Sequence, residues 1–416
     1  MRPLKSLMYC LSIIIVNRIF FQSTITLFKK PFNIFMELEL SADEIAEYIT
    51  LAKKFAKSNL GLFLHPEYAD GNPERLPEII KDARDVGLLS NAENRYGIWG
   101  YGLNGYPDVS LSLLSIFAEV CAGVAMCFHQ NGLAFNLLHD LATDNADFPQ
   151  GQLSVAIQED SFLPAAEVLI RKNTRQPVFK TMLRRQGKKW LLFGAKHFVY
   201  SIPGTKAYLV FAQEQENLAA VVVSAKAQGV RKELVERRLG LLACRVEHLT
   251  FDNVQIDANS VFLNEKIYDA LVRALFINWL GISAIATGTG KGALEATKLY
   301  IHERYQGGTL IENHPAIQGL VTSAEVNLFS AGAQLNQYWQ LKKINMENLR
   351  RAAMMKLSVT KLCSQAVSDS LQCFGGYGYM EDYGMEKRFR DVNTMKSMAG
   401  TPLYLKRVIF ELGREE

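Results

Sequence analysis

Apolar residues recur at helical spacing toward both ends of the chain and at strand spacing in the middle. Ser41-x-x-Glu44 has the form of a capping box. After it, Ile45, Ile49, Leu51, Ala52 and Phe55 fall near a 3.6-residue period. Leu76 to Leu89 predicts a second helix, and Ser110 to Leu141 a long apolar pair of helices with the pattern of a buried core. A polar turn (66–77) and a glycine-aromatic loop from Tyr96 to Tyr106 separate them. From 150 to 265 the pattern shifts to short apolar or β-branched runs. Leu153–Ile157, Lys189–Phe193, Ala207–Ala212, Ala219–Val223 and Leu249–Val254 predict strands of an antiparallel β-domain. Helical spacing returns over 268–305, 313–345, 348–374 and 402–412. The chain thus divides into an N-terminal α-helical domain (36–150), a β-domain (151–265) and a C-terminal four-helix bundle (266–416), an α+β protein. No G-x-G-x-x-G joins a strand to a helix, so no Rossmann unit is predicted.

Residues 1–35 differ from the rest. Leu7 to Val16 is a mostly apolar run behind Arg2 and Lys5. It is too short for a transmembrane helix. It resembles a signal-peptide core, yet no clear A-x-A site follows. A start assigned too early, with Met36 as the true start, is a third reading, because Met36 directly precedes the helix start at Ser41.

The 416 residues are enough for a large core in two or three domains. With 49% hydrophobic and 21% charged residues, the composition is that of a soluble globular protein. A formal charge of +4 is compatible with an anionic ligand, and no basic run interleaved with aromatics points to nucleic acid. None of the six cysteines forms a CxxC pair or a zinc-like cluster, so a reduced, metal-free, cytoplasmic protein is expected.

The stretch 372–401 concentrates the candidate chemistry. Gly375, Gly376 and Gly378 lie among Phe374, Tyr377 and Tyr379. Glycine admits close backbone approach to a flat ligand, and the aromatics could wall it. Thr401-Pro402 has the form of an N-cap followed by proline at the first helical position. Upstream, Glu303-Arg304-Tyr305-Gln306-Gly307-Gly308 is followed by Asn313-His314-Pro315-Ala316-Ile317-Gln318.

The order Gln372-x-x-Gly375-Gly376-x-Gly378-Tyr379, then Glu386, Arg390-Asp391 and Gly400-Thr401, resembles the C-terminal signature of acyl-CoA dehydrogenases. The 303–318 pair resembles that family's E-R-x-Q-F-G and E-H-Q-A-I-Q. The resemblance covers roughly 40–415 and is strongest at 296–320 and 370–401. It implies an FAD-dependent oxidoreductase of fatty acid metabolism that dehydrogenates an acyl-CoA thioester between its α- and β-carbons. It implies non-covalent FAD at a subunit interface, met by Arg304, Gln306, Gln372, Gly375, Gly376 and Thr401. Phe198 and Tyr200 would cover the flavin ring, since 188–196 is similar to the hairpin that precedes the family's W-I-T segment. It also implies a homodimer or homotetramer, or a hetero-oligomer with a sister subunit, and an electron-accepting flavoprotein as partner. Gly281, Gly288, Gly290 and Gly292 allow close helix packing, the more frequent cause of such spacing, or a thioester lying against the helix in the acyl pocket.

Two departures bear on the chemistry. The family's catalytic glutamate precedes the Gly-Thr pair, where this chain has Ala399. The alternative base position, on the helix ending at Arg304, corresponds to Asn278. No Asp or Glu occurs from Leu271 to Leu294 or from Val392 to Phe410. Glu159 and Asp160 in the β-domain are the remaining remote candidates. Three readings follow: a dehydrogenase whose base comes from a partner subunit, a flavin-dependent monooxygenase of the same fold, and a non-catalytic acyl-CoA or flavin-binding paralogue.

Overall fold

The computed structural model describes residues 40–414 apart from 65–74, 93, 95, 101, 102, 104, 105, 143–148, 150, 161–178, 188 and 338–343. The extension 1–35 and most of the polar turn 66–77 lie outside the described residues. Helix α1 (Ala42–Phe55) begins at the expected capping box: Glu44 N–H donates to Ser41 Oγ at 3.3 Å, and Ser41 N–H donates to Glu44 Oε2 at 2.9 Å. Helix α2 (Leu76–Asp85) stops about a turn earlier than its apolar pattern suggested, ahead of Gly87 with φ +81°. Helices α3 (Pro107–Val120) and α4 (Ala122–Leu141) are separated only by Cys121, which is extended. Every residue of α4 from Ala122 to Leu138 is buried, including His129, Gln130, Asn131 and Asn136.

Eight strands follow: β1 (Leu153–Ala156), β2 (Met182–Gln186), β3 (Lys189–Ser201), β4 (Ala207–Glu214), β5 (Asn217–Ser224), β6 (Val230–Leu234), β7 (Arg245–Ile256) and β8 (Val261–Phe262). They pair in the order β6-β7-β3-β2-β4-β5-β8, with β1 beside β4. Antiparallel pairs predominate, but β1 and β2 both meet β4 in parallel, so the sheet is mixed. Short apolar runs reveal burial and not the direction of the neighbouring strand, which is why the sequence did not show this. Strand β4 is buried on both faces. Leu209 and Phe211 join the helical core, while Tyr208, Val210 and Ala212 join a second core on the other side of the sheet.

The C-terminal part contains α5 (Lys266–Glu303), a short hairpin of β9 (Tyr305–Gln306) and β10 (Thr309–Leu310), then α6 (Pro315–Asn336), α7 (Met346–Cys373), α8 (Met385–Met395) and α9 (Pro402–Gly413). Helix α5 is apolar and long enough to cross a membrane, but 89% of its most apolar stretch is buried inside the protein, as in a core helix. Its buried hydroxyls donate back one turn: Ser283 to the Trp279 carbonyl at 2.7 Å and Thr287 to the Ser283 carbonyl at 2.9 Å. Its glycines serve helix packing. A Cβ at Gly288 would overlap the Ser115 carbonyl of α3, and one at Gly292 the Glu119 carbonyl. The spacing of 281, 288 and 292 puts these glycines on one face, and α3 can lie against that face only because it has no side chains.

Helix α8 was not visible as a helix in the sequence. Its buried side mixes Met385, Val392 and Met395 with Lys387, Arg388 and Asp391, so the apolar stripe is broken by charge. Those charges tie the domains together. Asp391 Oδ1 accepts from the Leu241 N–H of the β-domain at 2.6 Å, and Oδ2 accepts from Lys387 Nζ at 2.6 Å.

Candidate cofactor and substrate site

The singled-out residues gather in two places. Arg304 caps α5, and its guanidinium lies over the Tyr377 ring at 5.2 Å. Its Nε is buried without a hydrogen-bond partner, and no carboxylate among the described residues pairs with it. Tyr300 stacks on Phe374 at 4.2 Å, with Tyr383 edge-on to Tyr300. This aromatic base supports the turn that follows α7. Gln306, Gln372, Gly375 and Gly376 are exposed there, and nothing lies within 4 Å of where a Cβ of Gly375 or Gly376 would be. Gly378 differs: its Cβ would press on the Leu371 carbonyl at 2.5 Å, so the turn itself requires that glycine. His314 Nε2 lies 2.9 Å from the Gln306 carbonyl, a contact that holds the β9–β10 hairpin.

The second group lies near the middle of α5. Residues 279 and 304 are about 37 Å apart along the helix axis at 1.5 Å per residue. Trp279 Nε1 donates to the Ala399 carbonyl at 2.8 Å. Lys356 of α7 is fully buried, and its Nζ donates to the carbonyls of Lys396 and Gly400, both at 2.8 Å. Burial pushes the Lys356 pKa down to about 7. The two residues clamp the 396–400 loop, in which Ala399 takes φ +47° and Gly400 φ +112°. Thr401 then caps α9, accepting from Tyr404 N–H at 3.3 Å.

On the β-domain side, strand β3 bulges where His197 and Phe198 together oppose His248 of β7. Phe198 has φ +51°, is 46% exposed, and sets its ring edge-on to His248 at 4.9 Å. Tyr200 is partly buried against the helical core, and burial pushes its phenol pKa up. Thus the two residues expected to cover a flavin ring differ in environment: Phe198 is open, Tyr200 is packed. The end of β3 is joined to α4 by Cys127, whose thiol lies 3.7 Å from the Ser201 carbonyl.

Among the described residues, neither expected wall offers this second group a carboxylate at 399 or 278. Ala399 has none, and Asn278 carries an amide that contacts His129 and Gln130. Glu159 is fully engaged. Its carboxylate accepts from Lys196 Nζ at 2.6 Å, Thr181 Oγ1 at 2.5 Å, Thr181 N–H at 3.0 Å and Lys180 N–H at 2.7 Å. Burial alone would raise its pKa, but Lys196 and these donors bring it below the usual carboxylate range. Asp160 is at the surface, paired with Lys180. The sequence reading missed Trp279, Lys356, His129 and Trp99. For Lys356 a signal existed: it falls on the apolar stripe Leu349, Ala352, Ala353, Val359, Cys363, where a cation has no business unless carbonyls receive it.

Residues 270–411 match the family model for the acyl-CoA dehydrogenase C-terminal domain. The cyclohexane-1-carbonyl-CoA dehydrogenase of Geobacter metallireducens is 26% identical over 226 residues, which cover 53% of this chain and 60% of that protein. The mitochondrial short/branched chain specific acyl-CoA dehydrogenase of Rattus norvegicus is 24% identical over 377 residues, 88% of this chain and 85% of that one. A glutaryl-CoA dehydrogenase from Mycobacterium smegmatis, solved in complex with FADH2, superposes with a TM-score of 0.75 at 17% identity, covering 91% of this chain and 96% of that one. The chain spans about 60% of the length of several of the curated relatives it matches.

Proposed function

We propose that this chain, which belongs to the acyl-CoA dehydrogenase family, is an FAD-dependent oxidoreductase acting on the α,β-carbons of an acyl-CoA thioester. The observation that carries this reading is Arg304. Its guanidinium is partly buried and unmatched by a carboxylate, beside the open Gly375–Gly376 turn, Gln306 and Gln372. A planar cation with a spare donor, next to exposed backbone, suits a pyrophosphate. The residues therefore fit FAD. Arg304, Gln306, Gln372, Gly375 and Gly376 would hold its phosphates, and Phe198, Tyr200 and Thr401 would flank its ring.

These two sets lie at opposite ends of the α5 segment that separates them. The span of about 37 Å along α5 from Trp279, beside the loop that leads to Thr401, to Arg304 favours a site completed by a second chain, in a homodimer, a homotetramer or a pair with a sister subunit. Bound FAD supplies the acceptor for a hydride from the β-carbon. The chain's own residues place the thioester against the 396–400 loop, where Trp279 and Lys356 fix the backbone. Neither Ala399 nor Asn278 takes the α-proton, and Glu159 is committed to Lys196. The base for dehydrogenation therefore comes from a partner subunit, and the electrons leave to an accepting flavoprotein.

The same empty walls favour a second reading, oxygen-dependent hydroxylation, in which no α-proton is removed. The test is spectroscopic. Purified protein should be yellow, and its mass should correspond to a dimer or larger. Anaerobic bleaching by butyryl-CoA only after a base-bearing sister subunit is added supports dehydrogenation. Flavin that butyryl-CoA never bleaches but that, once reduced by an added two-electron donor such as NADH or dithionite, is reoxidised by oxygen with one oxygen atom entering the thioester and the other leaving as water favours the second reading. A colourless protein or a flavin-loaded monomer overturns the proposal.

A further inference from the structure

From Ala274 to Gly290, helix α5 is buried at every position except Asn278, which is partly exposed. The orientation of that one amide is fixed by a chain of buried groups. The indole nitrogen of Trp99 can only donate, and it stands 2.7 Å from His129 Nδ1. Nδ1 must therefore be the unprotonated nitrogen. His129 is fully buried, and burial pushes its pKa down to about 4, so the ring is neutral and carries its proton on Nε2. Nε2 lies 3.1 Å from Asn278 Oδ1, and Gln130 Nε2 donates to the same oxygen at 3.0 Å. Two donors on the α4 side claim Oδ1, so the Asn278 amino group faces away from α4. Gly281, one turn further on, makes room for this arrangement, since a Cβ there would overlap the His129 ring.

The Asn278 amino group donates to no described residue, yet it is not among the sealed, unpaired atoms of the interior. It is therefore accessible to solvent. The next residue, Trp279, holds the Ala399 carbonyl, so Asn278 stands one position along α5 from the clamp on the 396–400 loop. A donor left without a partner gains when an acceptor approaches it and loses when a hydrocarbon covers it.

We infer that Asn278 is a specificity-determining residue that presents its amide N–H groups to an acceptor oxygen of the bound thioester. The inference rests on the thioester reading above. The oxygen is either the thioester carbonyl or an oxygen carried by the acyl chain.

The test uses full-length, flavin-loaded protein and calorimetric titration with butyryl-CoA and 3-hydroxybutyryl-CoA. Asn278→Asp keeps an acceptor for His129 and Gln130 but turns the site-facing atom from donor to acceptor. It should weaken binding of at least one ester about tenfold, with flavin content and melting temperature retained. Equal loss for both esters assigns the thioester carbonyl, and loss confined to 3-hydroxybutyryl-CoA assigns the chain. Wild-type affinity for both esters in Asn278→Asp would overturn the inference, because a purely structural role predicts that result. A second measurement needs no variant: S-butyl-CoA, a thioether, lacks the carbonyl. If wild-type protein binds it, butyryl-CoA and 3-hydroxybutyryl-CoA alike, the inference also fails. If flavin-loaded wild type binds neither ester, the thioester reading falls and takes this inference with it.

Discussion

The indole N–H of Trp279 donates to the carbonyl of Ala399 at 2.8 Å, joining the middle of a buried helix to the 396–400 loop. Across a separation of 120 residues, that bond fixes a backbone whose φ of +47° an alanine adopts only under constraint. The loop is thus held in place although residue 399 carries no carboxylate.

Restoring the carboxylate should restore turnover. Ala399→Glu is expected to raise dehydrogenation of butyryl-CoA by about 10² to 10⁴, the usual contribution of a positioned base. The measurement is anaerobic flavin reduction in the homo-oligomer. An unchanged rate in a variant that still binds flavin and thioester would mean that the loop does not face the α-carbon.

Lys356 makes loop stability depend on pH. Its folded pKa, lowered by burial to about 7, lies below the unfolded value of 10.5. Between these values the unfolded chain binds the extra proton, so stability rises with pH across roughly that window, by at most about 1.4 kcal/mol per unit. Below it the burial cost is felt in full. A neutral amine still has two N–H donors for the Lys396 and Gly400 carbonyls. Thermal melts at pH 7, 8 and 9 should steepen less in Lys356→Met than in wild type. Parallel curves would contradict the assignment.

Arg304→Ala should weaken FAD retention about 10- to 100-fold, the range for hydrogen bonds to a charged partner. Arg304→Lys should recover little of it, because an ammonium cannot make the planar two-point contact. Flavin content after gel filtration and dialysis reads this directly. Unaltered retention in Arg304→Ala would remove Arg304 from the site.

Glu159→Gln tests whether the β-domain hides a base. It leaves Lys196, wholly buried, without its carboxylate and should cost about 3–5 kcal/mol of stability. Because the Glu159 pKa is depressed, its contribution is present at neutral pH and lost as pH falls through the acid range. The variant should therefore show a flatter acid limb in urea melts. Selective loss of turnover at full stability would instead identify Glu159 as catalytic.

Gly288→Ala should destabilise the protein by about 1–3 kcal/mol through overpacking, since the new methyl meets the Ser115 carbonyl of α3, a backbone atom that cannot swing aside. Gly319→Ala in α6 has open space and serves as the control. Equal urea midpoints for the two variants would show that α3 and α5 can move apart.

Sequence periodicity alone determined the succession of helices, strands and helices, because one-sided burial writes itself into spacing. Capping chemistry determined the starts of α1 and α9, and ordered motifs determined which residues to watch. Strand direction in β1 and β2 was left to the tertiary structure, since parallel and antiparallel neighbours bury the same apolar side chains. So was α8, whose buried face is charged and becomes acceptable only when Leu241 and Lys387 meet Asp391. The same holds for the glycines of α5, whose reason is a carbonyl on another helix. Asn278 shows the limit most plainly. Its residue type excludes a base in any fold, but which end of the amide meets α4 depends on Trp99, His129 and Gln130, brought together from about 150 to 180 positions away by packing that no local pattern records.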